Sequence, residues 1–566
     1  MLTALHWPAR PLASSSERAA GCLAWLLLLA MVVFIALPLA AILGKALTGE
    51  HGEFAGAGPI LATLAQPGLE RVIWNSLKVA LTTTALVVPL AYLFAAAVTR
   101  TTMPLKPLFR VTALLPLLAP SLLPGISLVY LFGNQGMLKT WFPDGGIYGF
   151  TGIVMGEAFY TFPYAVMILL TALAVGDARL YEAATTLGAG RIRQFLTVTL
   201  PATRYGLVSA ALVVFTLVVT DFGVPKVIGG QYPVLAVEAY KQVIGQQNFP
   251  RGAVIGLMLL VPAILSFLVD RHLHQRQTAL VTAKAQPLRP AGGWLIRLLA
   301  TACCSVLALW LVAMLGTAIA AGFMKLWPYN LAPTLAHFDF DDVDGGGWLA
   351  FYNSLKMALG TAVAGSVLVF LGAWCSEKLR VAGTARRTLH ALAMLPMAVP
   401  GLVLGLGYIF FFNPANNPLH GLYGTMAILV CCSVAHFYTT AHLTAVTALK
   451  QLDPEFESVA ASLKVPVWLT LWRVTLPACL PAMLEIARFF FVSAMTTVSA
   501  VIFLYTPDTA LASVAVMNMD DAGDTAAAAA MATLIVVCSG AVCLLLALVS
   551  RGILPRSQRW RSTERH

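Results

Sequence analysis

Long apolar runs separated by short polar segments set the pattern of this chain. The first extends from about Gly21 to Leu43, and others fall near 73–98, 111–132, 148–174, 205–226, 252–269, 295–318, 351–374, 389–412, 422–447, 480–505 and 525–549. A helix of about 20 apolar residues crosses the hydrocarbon of a bilayer, so the pattern predicts twelve transmembrane helices. The first run is longer than the apolar stretch of a secretory signal and is followed by no small-residue cleavage site, so it is expected to be retained. The polar segments alternate in charge. Those on one side hold 25 of the 36 Lys and Arg, and those on the other hold seven. Positive residues gather on the cytoplasmic face, which predicts both termini in the cytoplasm. The acidic runs Asp339, Asp341, Asp342, Asp344 and Asp508, Asp520, Asp521, Asp524 then face outward.

Composition narrows the class. Of 566 residues 59% are hydrophobic and only 11% charged, whereas soluble domains carry about 25% charged residues. The fold class expected is all-α integral membrane. The net charge of +11 is explained by topology, so nucleic acid is not expected as a partner; membrane lipid is. The nine cysteines lie in or beside apolar runs without metal-binding spacing, and they read as small packing residues with no metal site.

The chain repeats itself. Asn75-Ser76-Leu77-Lys78 returns as Asn353-Ser354-Leu355-Lys356, and Val198-Thr199-Leu200-Pro201-Ala202 returns as Val474-Thr475-Leu476-Pro477-Ala478. Leu115-Pro116 and Leu395-Pro396 match between them. Two tandem six-helix halves follow: 1–270 with a core of about 73–269, a cytoplasmic linker 271–293, and 294–566 with a core of about 351–549. An even number of spans per half makes the repeats parallel, with a pathway between them.

In each half the longest regular cytoplasmic loop lies between the fourth and fifth helices, about 175–204 and 448–479. The first reads Glu182-Ala183-Ala184, then Gly188, then Leu200-Pro201. Asp177 is placed to cap a short amphipathic helix that Gly188 ends in a left-handed turn. This spacing resembles the EAA loop of permease subunits of ATP-binding-cassette importers, of the fused, two-half type I layout. The resemblance implies that the loop helix couples transport to a dimer of separate cytoplasmic ATPase subunits, and that a periplasmic binding protein delivers the solute across a bacterial inner membrane. The second copy is degraded. Its counterparts are Ser458, Val459, Ala460 and Lys464, before Leu476-Pro477. A left-handed Lys464 would cost roughly 1 kcal/mol, so Pro466 is expected to end this helix instead. A twelve-helix ion-coupled carrier, the reading from a different class, would hold two such loops by accident.

No Gly-x4-Gly-Lys-Ser/Thr loop occurs, so the chain is not expected to be an enzyme or to bind a cofactor, and ATP and Mg belong to the partner ATPase. Ionisable residues within the spans are site candidates: Glu157, Asp221, Glu485 and Arg488, the last two three residues apart and able to neutralise each other. Pro116, Pro120, Pro124, Pro396 and Pro400 would distort paired helices. The stretch from Thr220 to Gly230, with Tyr240 to Phe249, resembles permeases of 2-aminoethylphosphonate importers, which are close to fused ferric-iron permeases. The resemblance implies 2-aminoethylphosphonate as substrate, with ferric iron or another small solute as the alternative.

Overall fold

The computed structural model describes residues 15–49, 52–174, 177–278, 292–341, 343–379, 381–453 and 455–557. Most of the expected linker 271–293 lies outside them, as do both chain ends. Among the described residues ten helices are long and apolar enough to span a membrane, and two bent pairs raise the number to twelve if each pair is one span.

The first half holds α1 (Ser15–Ala46), α2 (Leu69–Arg100), the bent pair α3 (Lys106–Leu118) and α4 (Leu123–Phe132), α5 (Phe150–Ala174), the loop helix α6 (Ala178–Thr186), α7 (Arg191–Thr220), two short helices α8 (Gly223–Ile228) and α9 (Leu235–Tyr240), and α10 (Phe249–Thr278). The second repeats the order as α11 (Trp294–Gly322), α12 (Gly347–Lys378), α13 (Gly383–Ala398), α14 (Gly401–Phe412), α15 (Met426–Lys450), α16 (Glu455–Ser462), α17 (Val467–Thr496), α18 (Ala512–Ala522) and α19 (Thr525–Ser557). A hairpin pairing Met324 with Pro333 follows α11. Helices α2, α5 and α7 pack together as one core, and α12, α15 and α17 as its counterpart.

The runs expected as straight spans at 111–132 and 389–412 are instead broken by 102° and 114°. In each, the break falls on the residue before a proline. Ala119 and Val399 have ψ of 141° and 115°, the extended conformation that a following proline ring imposes.

Both repeated strings have a structural job. Asn75 donates from Nδ2 to the Pro233 carbonyl at 3.0 Å, and the Ser76 hydroxyl accepts from Leu235 N–H at 2.8 Å. Asn353 donates to the Asp508 carbonyl at 2.9 Å, and Ser354 accepts from Ala512 N–H at 2.7 Å. Each Asn-Ser pair therefore satisfies backbone at the start of a short helix, α9 or α18, that has no intrahelical partner there. The Leu-Pro strings follow π turns, Phe195–Thr199 and Leu471–Thr475. A proline without an N–H frees a carbonyl in the preceding turn, which widens it.

The first helix of each half packs on the opposite half: α1 against α13 and α14, and α11 against α2, α3 and α4. A third π turn, Val32–Ala36, precedes Leu37-Pro38. The Phe34 carbonyl that Pro38 leaves free accepts the buried Tyr408 hydroxyl at 2.7 Å, and Gly407 lets α14 close on the Pro38 carbonyl, where a Cβ would stand at 2.6 Å.

Candidate functional site

The loop helix α6 begins where the Asp177 carboxylate accepts Arg179 N–H at 3.1 Å. It ends at Gly188, with φ of +71°, as Gly188 N–H reaches the Thr185 carbonyl at 3.0 Å and Ala189 N–H the Ala184 carbonyl at 2.9 Å. In the second half Asp453 accepts Glu455 N–H at 2.9 Å. The exit is the same, and it corrects the expectation about Pro466. Lys464 itself adopts φ of +55°; its N–H bonds to Ala461 at 3.1 Å and Val465 N–H to Ala460 at 2.9 Å. Two backbone hydrogen bonds, each worth about 1 kcal/mol, outweigh the left-handed strain. Pro466 instead starts the next helical turn, Val467–Thr470.

Each loop helix presents an exposed apolar ridge at a spacing of three and four residues. In α6 it is Leu180, Ala183 and Leu187; in the second loop it is Phe456, Val459 and Leu463. Leu187 is 84% exposed and Leu463 70%, so none of the described residues covers their tips. Glu182 and Ser458 are exposed beside them, while Ala184 and Ala460 are half-buried toward the protein. Leu200-Pro201 and Leu476-Pro477 open the regular parts of α7 and α17. The anchors behind the ridges were not singled out from sequence. Arg100 donates to the Tyr181 hydroxyl at 2.9 Å and to the Leu173 carbonyl at 3.0 Å, and Lys378 pairs with Glu457 at 2.9 Å. The start of α1 comes to the second loop as well, where Ser15, Glu17, Lys378, Glu457, Lys464 and Pro466 line a cavity of about 670 Å³.

A second constellation lies inside the first half. Gly152 and Gly156 leave a bare strip on α5 against which α8 rests. A Cβ at Gly156 would stand 2.6 Å from Val224 Cγ1, and one at Gly152 2.5 Å from Ile228 Cγ1. That close approach brings Asp221, which accepts Val224 N–H at 2.8 Å, to face Glu157. Glu157 is fully buried, and among the described residues no N–H or hydroxyl donor meets its carboxyl oxygens, which face the Asp221 carboxyl. Tyr160 and Tyr164, one and two turns along α5, lie against each other at a tilt of 59° with ring centroids 6.0 Å apart. Sequence reading passed over these tyrosines, although their spacing puts them on the face of Glu157. The equivalent positions of the second half are Ser433, Thr497, His436 and Thr440, so the acid is one-sided. Glu485 and Arg488 are not part of this group; they are partly exposed and paired with each other on α17.

On α8 itself the halves meet through charge. Lys226 Nζ lies 3.0 Å from Asp521 Oδ1, and the Tyr240 ring sits between Phe222 and Phe503 at 4.9 and 6.2 Å. Burial, with the adjacent Asp521, raises the Asp520 carboxyl to about 6, and Lys226 opposes the shift.

The model of the binding-protein-dependent transport system inner membrane component matches this chain twice, over residues 87–279 and 351–557. The chain belongs to that family. The permease is 28% identical over 522 residues to the ferric transport system permease protein FbpB of Actinobacillus pleuropneumoniae, covering 90% of this chain and 75% of that protein. It is 29% identical over 473 residues to a Haemophilus influenzae FbpB named for ferric transport, covering 81% of this chain and 74% of that protein. Salmonella typhimurium PhnV, whose name assigns it to 2-aminoethylphosphonate transport, is 29% identical over 227 residues, 39% of this chain and 80% of that protein. As a member of this family the permease is a multi-pass transport subunit of an ATP-binding-cassette importer in an inner membrane. Its family implies a binding protein and an ATPase as partners.

Proposed function

We propose that this permease forms the pathway for ferric iron in an ATP-driven importer, moving it between the two halves as they open alternately inward and outward. The observation that carries the reading is extent: the two relatives named for ferric transport match across both halves, 90% and 81% of the chain, and PhnV matches 39%. This reverses the order of substrates that the Thr220–Gly230 resemblance implies. The interior agrees in sign, because two carboxyls face each other at Glu157 and Asp221, a poor lining for a phosphonate and a good one for a cation.

In this reading the chain has no ATPase site, and ATP and Mg bind a cytoplasmic ATPase dimer. The ridges of α6 and α16 dock into that dimer. Glu182, Ala183, Ala184 and Gly188, steadied by Leu200 and Pro201, form the first contact. Ser458, Val459, Ala460 and Lys464, steadied by Leu476 and Pro477, form the second. Both termini lie on the ATPase side, in keeping with the start of α1 beside Lys464. The halves divide at the linker 271–293.

The test is uptake by the permease reconstituted with its ATPase and binding protein, offered radiolabelled ferric citrate or 2-aminoethylphosphonate. ATP-dependent accumulation of iron alone is expected. Accumulation of the phosphonate alone would return the substrate to the other reading and leave the importer architecture in place.

A further inference from the structure

We propose that Glu157, Asp221, Tyr160 and Tyr164 form a transit site for a hard, multiply charged cation on the wall of the first half. The inference rests on the ferric reading and deepens it, since it names the groups that hold the cargo within the membrane. The donors are two carboxylates and two phenols, an all-oxygen set suited to hard cations and unsuited to soft ones. They are brought together by a built feature, the Gly152 and Gly156 strip that admits α8 to within contact of α5.

Glu157 marks the group as a site. A buried carboxyl needs a proton or a counter-ion, and here no N–H or hydroxyl donor among the described residues meets Glu157, whose facing neighbour is another acid. Asp221 has its own support from Val224 N–H and faces Glu157 within reach of a proton shared by the two acids, so a cation that enters here displaces that proton. No Lys or Arg contacts Glu157 or Asp221 among the described residues. A cation arriving between them supplies the absent counter-charge. The arrangement also has a direction of entry. Asp221, Tyr160 and Tyr164 keep accessible surface, whereas Glu157 behind them has none, so the cation meets the first three before the fourth.

The second half explains why the site is for passage. Ser433, Thr497, His436 and Thr440 occupy the equivalent places, and Ile428 and Cys432 replace the two glycines. One wall therefore holds the cation and the other does not. When the halves separate, the cation stays on the first half with its oxygen ligands and takes water on the side that faced the second half, which suits release better than a closed cage.

The experiment uses the complete complex with ATPase and binding protein, and compares wild type with Glu157→Gln, Asp221→Asn and Tyr160→Phe/Tyr164→Phe, with Glu485→Gln as control. Terbium(III), a hard trivalent ion whose emission is sensitised by nearby tyrosine, is titrated into the detergent-solubilised complex. Uptake of radiolabelled ferric citrate is measured in proteoliposomes. Wild type and the control are expected to bind terbium, and ferric iron to displace it. Both carboxyl variants should lose terbium affinity and iron uptake by roughly tenfold or more, the scale set by groups that order a metal's ligands. Their ATPase association should stay unchanged, which separates loss of the site from loss of the fold, and the double phenylalanine variant should lose the sensitised emission. Wild-type terbium binding in both carboxyl variants overturns the site even if iron is transported. Displacement by spermidine but not by ferric iron also overturns it, in favour of an ammonium-binding surface. If wild type takes up no iron yet binds terbium through Glu157 and Asp221, the ferric reading fails and the hard-cation site stands.

Discussion

Lys378 and Glu457 form an ion pair of 2.9 Å at the positions where the first half joins Arg100 to Tyr181. Both links tie a loop helix to the end of α2 or α12, and under the proposed docking they form a short polar strut from the ATPase to the membrane core. The chemistry differs: a guanidinium on a phenol in one half, two full charges in the other. The Lys378 and Glu457 side chains are only 12% and 23% exposed, where losing one partner is worse than losing both. Glu457→Gln should therefore raise ATP hydrolysed per solute moved. The double variant Lys378→Met/Glu457→Met should recover part of the coupling, and stoichiometry measured in proteoliposomes checks both.

The exits at Gly188 and Lys464 share one backbone shape and differ in side chain. Among the described residues no atom beyond the chain neighbours lies within 4 Å of a Cβ placed at Gly188, so Gly188→Lys should cost the permease only about 1 kcal/mol of left-handed strain. A strong loss of ATPase co-purification in that variant is expected from a clash in the partner's groove. Lys464→Gly should stabilise the loop by a similar amount, about 1 kcal/mol, and leave association unchanged or mildly improved. Equal loss from the two substitutions would overturn the asymmetry.

The repeated serines offer a paired control. Ser76→Ala removes the acceptor for Leu235 N–H, and Ser354→Ala removes the one for Ala512 N–H. Each should lower stability by about 1 kcal/mol, read as a fall in melting temperature of the purified complex. Because the two caps are far apart, the double variant should show the sum.

Acidity acts at the contact between the halves beside Lys226 and Asp521. Asp520 is raised to about 6 from an ordinary value of 3.8, so this closed arrangement binds a proton more tightly than an opened one in which Asp520 is hydrated. Linkage then fixes the sign: stabilisation of the closed contact is complete below about 3.8 and is lost as pH rises through about 6. Lys226 and Asp521 are the charges facing this group, with Tyr130 nearby. Cross-linking of a cysteine pair placed at Lys226 and Asp521 would remove those charges, so spin labels on α8 and α18 are preferable. Their separation should broaden as external pH is taken from 5 to 7, a range chosen to span the value of about 6, and Asp520→Asn should abolish the change.

The twelve apolar runs and the two loop helices are legible in the sequence because a bilayer enforces length and hydropathy, and because caps such as Asp177 and Asp453 act within two residues. The bends before Pro120 and Pro400 are legible only as prolines, since one ring fixes the local dihedral and packing decides the angle. Lys464 escapes propensity reasoning because paired backbone hydrogen bonds outweigh a small intrinsic penalty. Tyr160 and Tyr164 escape it because tyrosine in a membrane helix ordinarily packs or marks an interface. Their meaning comes from Gly152 and Gly156, which read as plain small residues until α8 is seen against them. The crossing of α1 and α11 carries no sequence signal, because an apolar helix surface does not name its neighbour.

That crossing makes each half the keeper of the other's brace. Phe34 and Tyr408 are bonded across it at a carbonyl that a proline had already set free, so parting the halves there would strand a polar group in hydrocarbon. The halves meet through the single ion pair of Lys226 and Asp521 at one place and are buttoned together along α1 and α11 at the others, so a transport stroke is expected to hinge on these helices without parting the halves. Two fragments produced by cutting the chain between α10 and α11 should still recapture one another, and covalent fusion then serves to fix their ratio at one to one.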